Sequence, residues 1–333
     1  MSDPAALPTL AVGLAGVFGP GAVVQGLKRL SGGASQETWA FELVQGGHTR
    51  PLILRRAPAG HSQRGSGGPG LAAEAELIRQ SAAAGAPAPE VVAVLQPEHG
   101  VGEGFVMSRL AGETLGRRVA SAARPRLAWQ CGEALAHIHA LPVAGLPALR
   151  RTQPGAEVEH LRQWHARQGT VRPVFQLALR WLAAHAPADV AVPALVHGDF
   201  RNGNLMVDLE AEGGTLVGVL DWELAHLGDP MADLGWLCVN PWRFGQHARP
   251  VGGFGQLDEL IAGYTAAGGR ADRARIHWWQ VLGTLRWGVI CESMGHAWIT
   301  GAEPVMEKAA IGRRASETEI DLLELLMPRG AAH

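Results

Sequence analysis

Residues 195–223 constrain the fold of this chain more than any other stretch of its sequence. An apolar run leads into His-Gly-Asp at 197–199, and two further apolar runs follow at 205–208 and 216–220. The segment between those two runs contains Glu-Gly-Gly, which favours a turn. The sequence therefore predicts a strand, a loop and then an antiparallel hairpin.

The hairpin brings two oxygen-bearing side chains together. The start of one antiparallel strand lies beside the end of its partner, so Asn204 and Asp221 are expected at one mouth, roughly 5 Å apart at Cα. An amide and a carboxylate oxygen suit Mg²⁺, which takes its other ligands from phosphates and water. Asp199 then remains free to orient and deprotonate a substrate hydroxyl. This spacing indicates a phosphoryl-transfer site.

The same residues carry a family resemblance. The order of Asp199, Asn204 and Asp221 resembles that of the aminoglycoside phosphotransferase and choline kinase-like family, relatives of the protein kinases. The sequence Asp-Trp-Glu-Leu-Ala-His-Leu-Gly-Asp-Pro-Met-Ala-Asp-Leu at 221–234 is similar to the branch that includes kinase domains fused to acyl-CoA dehydrogenases. The resemblance implies ATP and Mg²⁺ as cofactors.

The resemblance also implies an α+β, protein kinase-like fold with two lobes. A small antiparallel-sheet N-lobe that binds the nucleotide is expected at 1–108. A larger, mainly helical C-lobe, with the catalytic loop and the substrate-binding helices, is expected at 109–333.

The same family resemblance implies roles for three more residues around the loop. Arg201 stands where protein kinases have a lysine that contacts the transferring phosphate; the alternative is a surface arginine paired with Glu223. His197 is expected to hold the loop through backbone hydrogen bonds. Asp233 matches a helix-start aspartate that anchors the catalytic loop, although it also fits a simple N-cap.

The part of the chain that is expected to bind the nucleotide begins with a glycine-containing loop. Gly32, Gly33 and Ser35 lie between strand-like flanks, where small residues let backbone amides approach a polyphosphate. In kinase-like folds the next strand supplies a lysine, but here Arg55 follows the apolar run. Arginine can bind phosphate through two parallel donors. The alternative is that Arg55 is a solvated charge at a strand end.

Two further elements complete the expected nucleotide-binding part. A helix expected at 72–84 carries Glu74 and Glu76, and Glu74 is the better match to the glutamate that braces the cation. Residues 107–110 resemble the hinge between the lobes. Met107 and Arg109 are therefore expected to contact the nucleotide, mainly through backbone groups.

Composition excludes several classes of protein. The 333 residues carry a formal charge of −2 with no long basic run, which argues against a nucleic-acid partner. The uncharged segment at 5–24 has no basic leader and is interrupted by prolines, so we expect an amphipathic helix there instead of a membrane span or signal peptide. Three cysteines without zinc-like spacing indicate reduced thiols in a cytosolic protein. The oligomeric state stays open.

The acceptor is expected to be a small hydroxylated molecule. Residues 240–300 combine many tryptophans with more arginines than acidic residues, whereas an aminoglycoside kinase favours an acidic pocket. An anionic hydroxylated metabolite such as a hydroxyacyl thioester is preferred. The alternatives are an aminoglycoside kinase and, because Arg55 replaces lysine, a non-catalytic nucleotide-binding module.

Overall fold

The computed structural model describes residues 6–30, 36–57 and 68–327. Its first element is the helix α1, Ala6–Phe18, which the spacing of its leucines predicts. Leu10 and Leu14 are buried on one side of this helix. They pack with Phe41, Leu54 and other residues of the following sheet into a small hydrophobic core. The uncharged N-terminal segment thus covers one face of the sheet.

A five-stranded antiparallel sheet forms the first part of the molecule. Its strands are β1 (Val23–Arg29), β2 (Glu37–Gln45), β3 (His48–Arg56), β4 (Val91–Val94) and β5 (Gly104–Ser108), in the spatial order β1-β2-β3-β5-β4. The helix α2, Leu71–Ala83, connects β3 to β4. Arg55 lies opposite Thr38 on one side and Phe105 on the other, so it sits in the central strand.

The rest of the chain is mainly helical, as the resemblance implies. Within the described residues, its helices are α3 (Gly116–Val119), α4 (Pro125–His139), α5 (Pro154–Arg167), α6 (Pro173–Ala184), α7 (Met231–Leu237), α8 (Leu257–Ala266), α9 (Arg273–Ile299), α10 (Met306–Gly312) and α11 (Ala315–Leu326). Leu127, Leu135 and Ile138 of α4 are fully buried, because apolar residues recur along one face of this helix. The α+β, kinase-like fold is confirmed.

Two small ribbons interrupt the helices and carry the predicted site. The strand β6, Ala194–Val196, pairs with β9, His226–Gly228, and β7, Leu205–Asp208, pairs with β8, Thr215–Val219. Leu205 lies opposite Val219, so the predicted antiparallel hairpin is confirmed. The division into lobes at residue 108 stays a prediction, and β5 ends there.

The described part of the chain contains no helix that is both long enough and apolar enough to cross a membrane.

Candidate active site

The loop after β6 is held by a buried carboxylate from α7. Asp233 accepts hydrogen bonds from the backbone N–H groups of His197, at 2.8 Å, and Gly198, at 2.9 Å. His139 Nε2 lies 3.1 Å from the same carboxylate. Burial raises the pKa of Asp233, but these donors outweigh it and bring the pKa below its ordinary value. Asp233 is therefore a charged anchor for the loop, and Pro230, instead of Asp233, stands at the N-cap of α7.

The loop turns sharply at Gly198, next to this anchor. Gly198 has a φ of 80°, and a Cβ there would lie 2.4 Å from the carbonyl oxygen of Leu224. His197 Nδ1 accepts a hydrogen bond from the Asp199 backbone N–H at 3.2 Å. Burial lowers the pKa of His197, which keeps the ring neutral and able to accept. The histidine thus has the structural role that the sequence predicts.

Three donors surround the Asp199 carboxylate. Trp236 Nε1 donates to Oδ1 at 2.8 Å, Asn204 Nδ2 donates to Oδ2 at 2.7 Å, and Arg201 Nε lies 3.0 Å from Oδ1. The Arg201 guanidinium also lies over the Trp242 ring, 4.7 Å from its centroid. Arg201 therefore faces Asp199 instead of forming the surface pair considered from the sequence.

The hairpin mouth holds the two predicted metal ligands. The Leu220 backbone N–H donates to the Asn204 carbonyl at 2.9 Å, which joins the two strand ends. Asn204 Nδ2 donates to Asp199, so the amide oxygen is the group of this side chain that could bind a cation. Asp221 has a φ of 68°, a left-handed conformation that is unfavourable for residues other than glycine. Such strain is found at functional sites more often than elsewhere.

This donor set fits Mg²⁺ bound together with phosphate. Asn204 and Asp221 provide one amide and one carboxylate oxygen on the wall of the same cavity. Within the described residues, no group of three or more His, Cys, Asp and Glu side chains is arranged to hold a metal by itself. A protein that offers Mg²⁺ one or two ligands relies on substrate phosphates for the rest.

Arg55 connects the sheet to the hairpin. Its guanidinium lies 3.2 Å from the carboxylate of Glu74 on α2 and 2.5 Å from Asp221. Burial lowers the pKa of Arg55, but Glu74, Asp221 and Glu223 together raise it above its ordinary value. Burial also raises the pKa of Glu74, and Arg55 and Gln36 offset this only in part. The structure thus brings Arg55 and Glu74 together, while Glu76 is 45% exposed.

A cavity of about 520 Å³ opens between the sheet and the hairpin. It is lined by residues from both parts of the molecule, among them Ala40, Ile53, Arg55, Met107, Arg109, Asn204, Met206 and Asp221. Its size and apolar walls suit a nucleotide base. Gly32, Gly33 and Ser35 of the expected glycine loop lie outside the described residues.

Several hydrogen-bonding groups of the expected hinge already have partners within the protein. The backbone N–H of Ser108 donates to Glu90 O at 2.8 Å, and that of Arg109 donates to Pro51 O at 3.1 Å. The Arg109 side chain donates to Glu42 at 2.6 Å. The predicted contacts of Met107 and Arg109 with a nucleotide base would therefore have to use other groups of this segment.

Comparison with known proteins agrees with this geometry. Residues 26–279 match the model of the phosphotransferase enzyme family, APH, which covers the sheet, the loop and the hairpin. The chain belongs to this family.

Individual relatives of this phosphotransferase are more distant. Acyl-CoA dehydrogenase family member 10 of Mus musculus is 26% identical over 220 residues, which is 62% of this chain and 20% of the mouse protein. Acyl-CoA dehydrogenase family member 11 of Gallus gallus is 39% identical over 75 residues, 22% of this chain and 9% of the chicken protein. The matched region is thus a small part of each relative.

Solved structures share the fold. A choline/ethanolamine kinase family protein from Mesorhizobium loti has a TM-score of 0.64 and 22% identity, over 98% of this chain and 95% of that one. The GDP complex of aminoglycoside 2'-phosphotransferase-IIIa has a TM-score of 0.63 and 16% identity, over 96% of this chain and 99% of that one. At this identity the likeness concerns the fold.

Several residues of the candidate site have no clear sequence signal. His139 contacts Asp233 and lies 3.0 Å from the Tyr264 hydroxyl. Asp229 accepts a hydrogen bond from Trp279 Nε1 at 2.6 Å and pairs with Arg275. The partners lie far apart in the sequence, so spacing along one helix or loop does not reveal them. Trp236 is a further example.

Proposed function

We propose that this chain is an ATP- and Mg²⁺-dependent kinase that phosphorylates a hydroxyl group of a small molecule. Asp199 is the base that orients the hydroxyl, and Asn204 and Asp221 hold the metal. When bound, ATP would supply the phosphoryl group and Mg²⁺ would offset its charge. A cytosolic location remains part of this prediction.

The position of Asn204 is the observation that carries the proposal. Its amide nitrogen binds the Asp199 carboxylate, while the residue lies with Asp221 on the wall of the cavity between sheet and hairpin. One side chain therefore links the proposed base to the proposed metal site. A protein that only binds nucleotide has no chemical need for this link, which favours catalysis over the non-catalytic alternative.

The two arginines receive different tasks. Arg55 extends from the central strand towards Asp221, where it would contact the nucleotide phosphates. Arg201 lies beside Asp199, where it would neutralise charge that develops on the transferring group. Its planar donors suit phosphoryl oxygens.

The experiment compares Asp199→Asn with Asp208→Asn, a control at the far end of the same hairpin. We expect Asp199→Asn to lower Mg²⁺-dependent ADP release at least 100-fold, because loss of a general base removes 10²- to 10⁴-fold of rate. Binding of ADP, measured by calorimetry, should stay close to the wild type in both variants. If Asp199→Asn retains turnover, Asp199 is not the base. If the wild type binds ADP but shows no turnover with any acceptor or with water, the non-catalytic alternative is correct.

For the acceptor, we propose an anionic hydroxylated molecule. Arg286 lies over the ring of Trp236, the residue that donates to Asp199, and is 5.1 Å from the ring centroid. Burial lowers the pKa of Arg286, and Glu157 and Asp199 oppose that shift. With Arg201, two guanidinium groups therefore lie near the base, which favours an acceptor with a carboxylate or phosphate group. The relatives named for acyl-CoA dehydrogenases are compatible with a hydroxyacyl thioester.

A paired screen tests this preference. Short hydroxy acids, hydroxyacyl thioesters and aminoglycosides are compared for stimulated ADP release, each hydroxy acid beside its uncharged amide. We expect the acids or thioesters to stimulate release and the amides to be weaker. Stimulation by aminoglycosides alone would favour the antibiotic kinase that some solved neighbours are named for.

A further inference from the structure

The helix α7 contacts the loop that carries Asp199 at two levels. Asp233, in its first turn, accepts the backbone N–H groups of His197 and Gly198. Trp236, three residues later, reaches the Asp199 side chain, with Nε1 2.8 Å from Oδ1. Because residues three apart lie on the same side of a helix, one short helix fixes both the backbone and the reacting side chain.

The Trp236 ring has little freedom to move. It is 6% exposed and lies 5.2 Å from the Trp242 ring, centroid to centroid. On another side, Gly283 of α9 approaches so closely that a Cβ there would lie 3.0 Å from the indole. The ring is therefore held by packing before it meets the carboxylate.

The helix itself is also pinned. A Cβ at Gly235 would lie 2.7 Å from Trp279 Cβ and 2.8 Å from the backbone nitrogen of Gln280, so α7 and α9 approach closely there. A residue held by a rigid helix places its donor more accurately than one on a loop. The position of Trp236 Nε1 is thus set by the contact between two helices.

An indole has a special chemical suitability for this contact. Its N–H only donates and does not titrate, so it cannot take the proton that a base must accept. It restrains Oδ1 of Asp199 while Asn204 restrains Oδ2. An apolar ring can pack without any donor, so packing alone does not explain a tryptophan whose nitrogen points at this carboxylate.

We propose that Trp236 is a positioning residue that sets the orientation of the Asp199 carboxylate for phosphoryl transfer. This inference rests on the proposed function, because it assumes that Asp199 is the base. The role is geometric, so it should affect the rate of the transfer step and leave nucleotide binding intact. A misplaced catalytic group lowers the rate even when every component is still present.

The test compares Trp236→Phe with Trp278→Phe. The control removes another buried indole, whose N–H donates to Leu182 O and not to Asp199. For Mg²⁺-dependent ATP hydrolysis, we expect Trp236→Phe to lower kcat about 10-fold, the effect of one hydrogen bond to a charged group, with KM for ATP within twofold of the wild type. Trp278→Phe should retain kcat. An equal fall in both folded variants, or no fall in Trp236→Phe, would overturn the positioning role.

A second measurement does not depend on turnover. In a ¹⁵N-labelled protein, the indole N–H resonance that disappears in Trp236→Phe should move upfield in Asp199→Ala, while the resonances of the other tryptophans stay near their positions. If the chemical shift of this resonance is unchanged in Asp199→Ala, the hydrogen bond and the proposal are both wrong. If the resonance responds but the wild type shows no turnover, the contact is real, and it is the proposed kinase activity, with the positioning role that depends on it, that fails.

Discussion

Arg55 Nη2 donates a hydrogen bond to Asp221 Oδ1 at 2.5 Å, which joins the central strand of the sheet to the mouth of the hairpin. The same guanidinium lies 3.2 Å from Glu74 and 3.6 Å from Glu223. One cation from the sheet is thus shared among carboxylates from α2 and from the residues after β8. The arginine that replaces the expected lysine has a defined place between them.

Arg55→Met should weaken ADP·Mg²⁺ binding about 10- to 100-fold, the range of one or two charge-assisted hydrogen bonds. Arg55→Lys should lose less ADP·Mg²⁺ affinity than Arg55→Met, because lysine keeps the positive charge. It should still lose some, because lysine has no planar pair of donors. Arg50→Met is the control, since Arg50 lies on the same strand in an exposed pair with Glu90. Calorimetric titration measures all three. Unchanged binding in Arg55→Met would favour the alternative of a simple strand-end charge.

Glu74→Gln should lower the free energy of unfolding by about 1–3 kcal/mol, because it removes the negative charge of a buried ion pair. The loss is limited because Arg55 still pairs with Asp221. Glu76→Gln, on the same helix but 45% exposed, should change it by less than about 0.5 kcal/mol. Urea unfolding of both variants checks this. Equal effects would show that the Arg55 pair contributes nothing specific to stability.

Gly198→Ala should destabilise the protein by about 1–3 kcal/mol and reduce turnover, because the new Cβ would meet the Leu224 carbonyl at 2.4 Å. Gly213→Ala separates the cost of the collision from the cost of placing alanine at a positive φ. Gly213 also has a positive φ, 73°, but its nearest neighbour would be Arg126 Cβ at 3.8 Å. It should therefore show only the conformational cost of about 1 kcal/mol. Thermal unfolding and ADP release provide the comparison, and equal losses would mean that the collision is relieved.

Acid should destabilise the folded chain through His226. Burial lowers the pKa of this histidine to about 4, below the ordinary 6.5. The unfolded chain therefore binds the proton first as pH falls, so stability is fully present above about 6.5 and decreases towards pH 4, by on the order of 2–3 kcal/mol for this group.

The comparison for this effect is between His226→Gln and His48→Gln, which replaces an exposed histidine. Unfolding in urea between pH 7 and pH 4 should show a shallower pH dependence in His226→Gln than in the wild type. The His48→Gln curve should follow the wild type. A His226→Gln curve as steep as the wild type would assign the acid sensitivity to other groups.

The sequence by itself determined the local elements and the chemistry they carry. The apolar runs around the turn specify the hairpin, because side chains alternate along strands, and the apolar face of α4 specifies a buried helix. The pairing of those strands then places Asn204 beside Asp221 without reference to the rest of the chain. The family resemblance supplied the lobes and the match of Arg55 to Glu74.

Only the tertiary structure decided how the reacting groups are held. Trp236 meets Asp199 across 37 residues, His139 meets Asp233 across 94, and Arg55 meets Asp221 across 166. Such contacts depend on how helices and sheet pack, and neither helical nor strand periodicity extends over those separations. The sequence therefore identified the carboxylates and Arg55, whereas packing decided which side chains contact and orient those carboxylates.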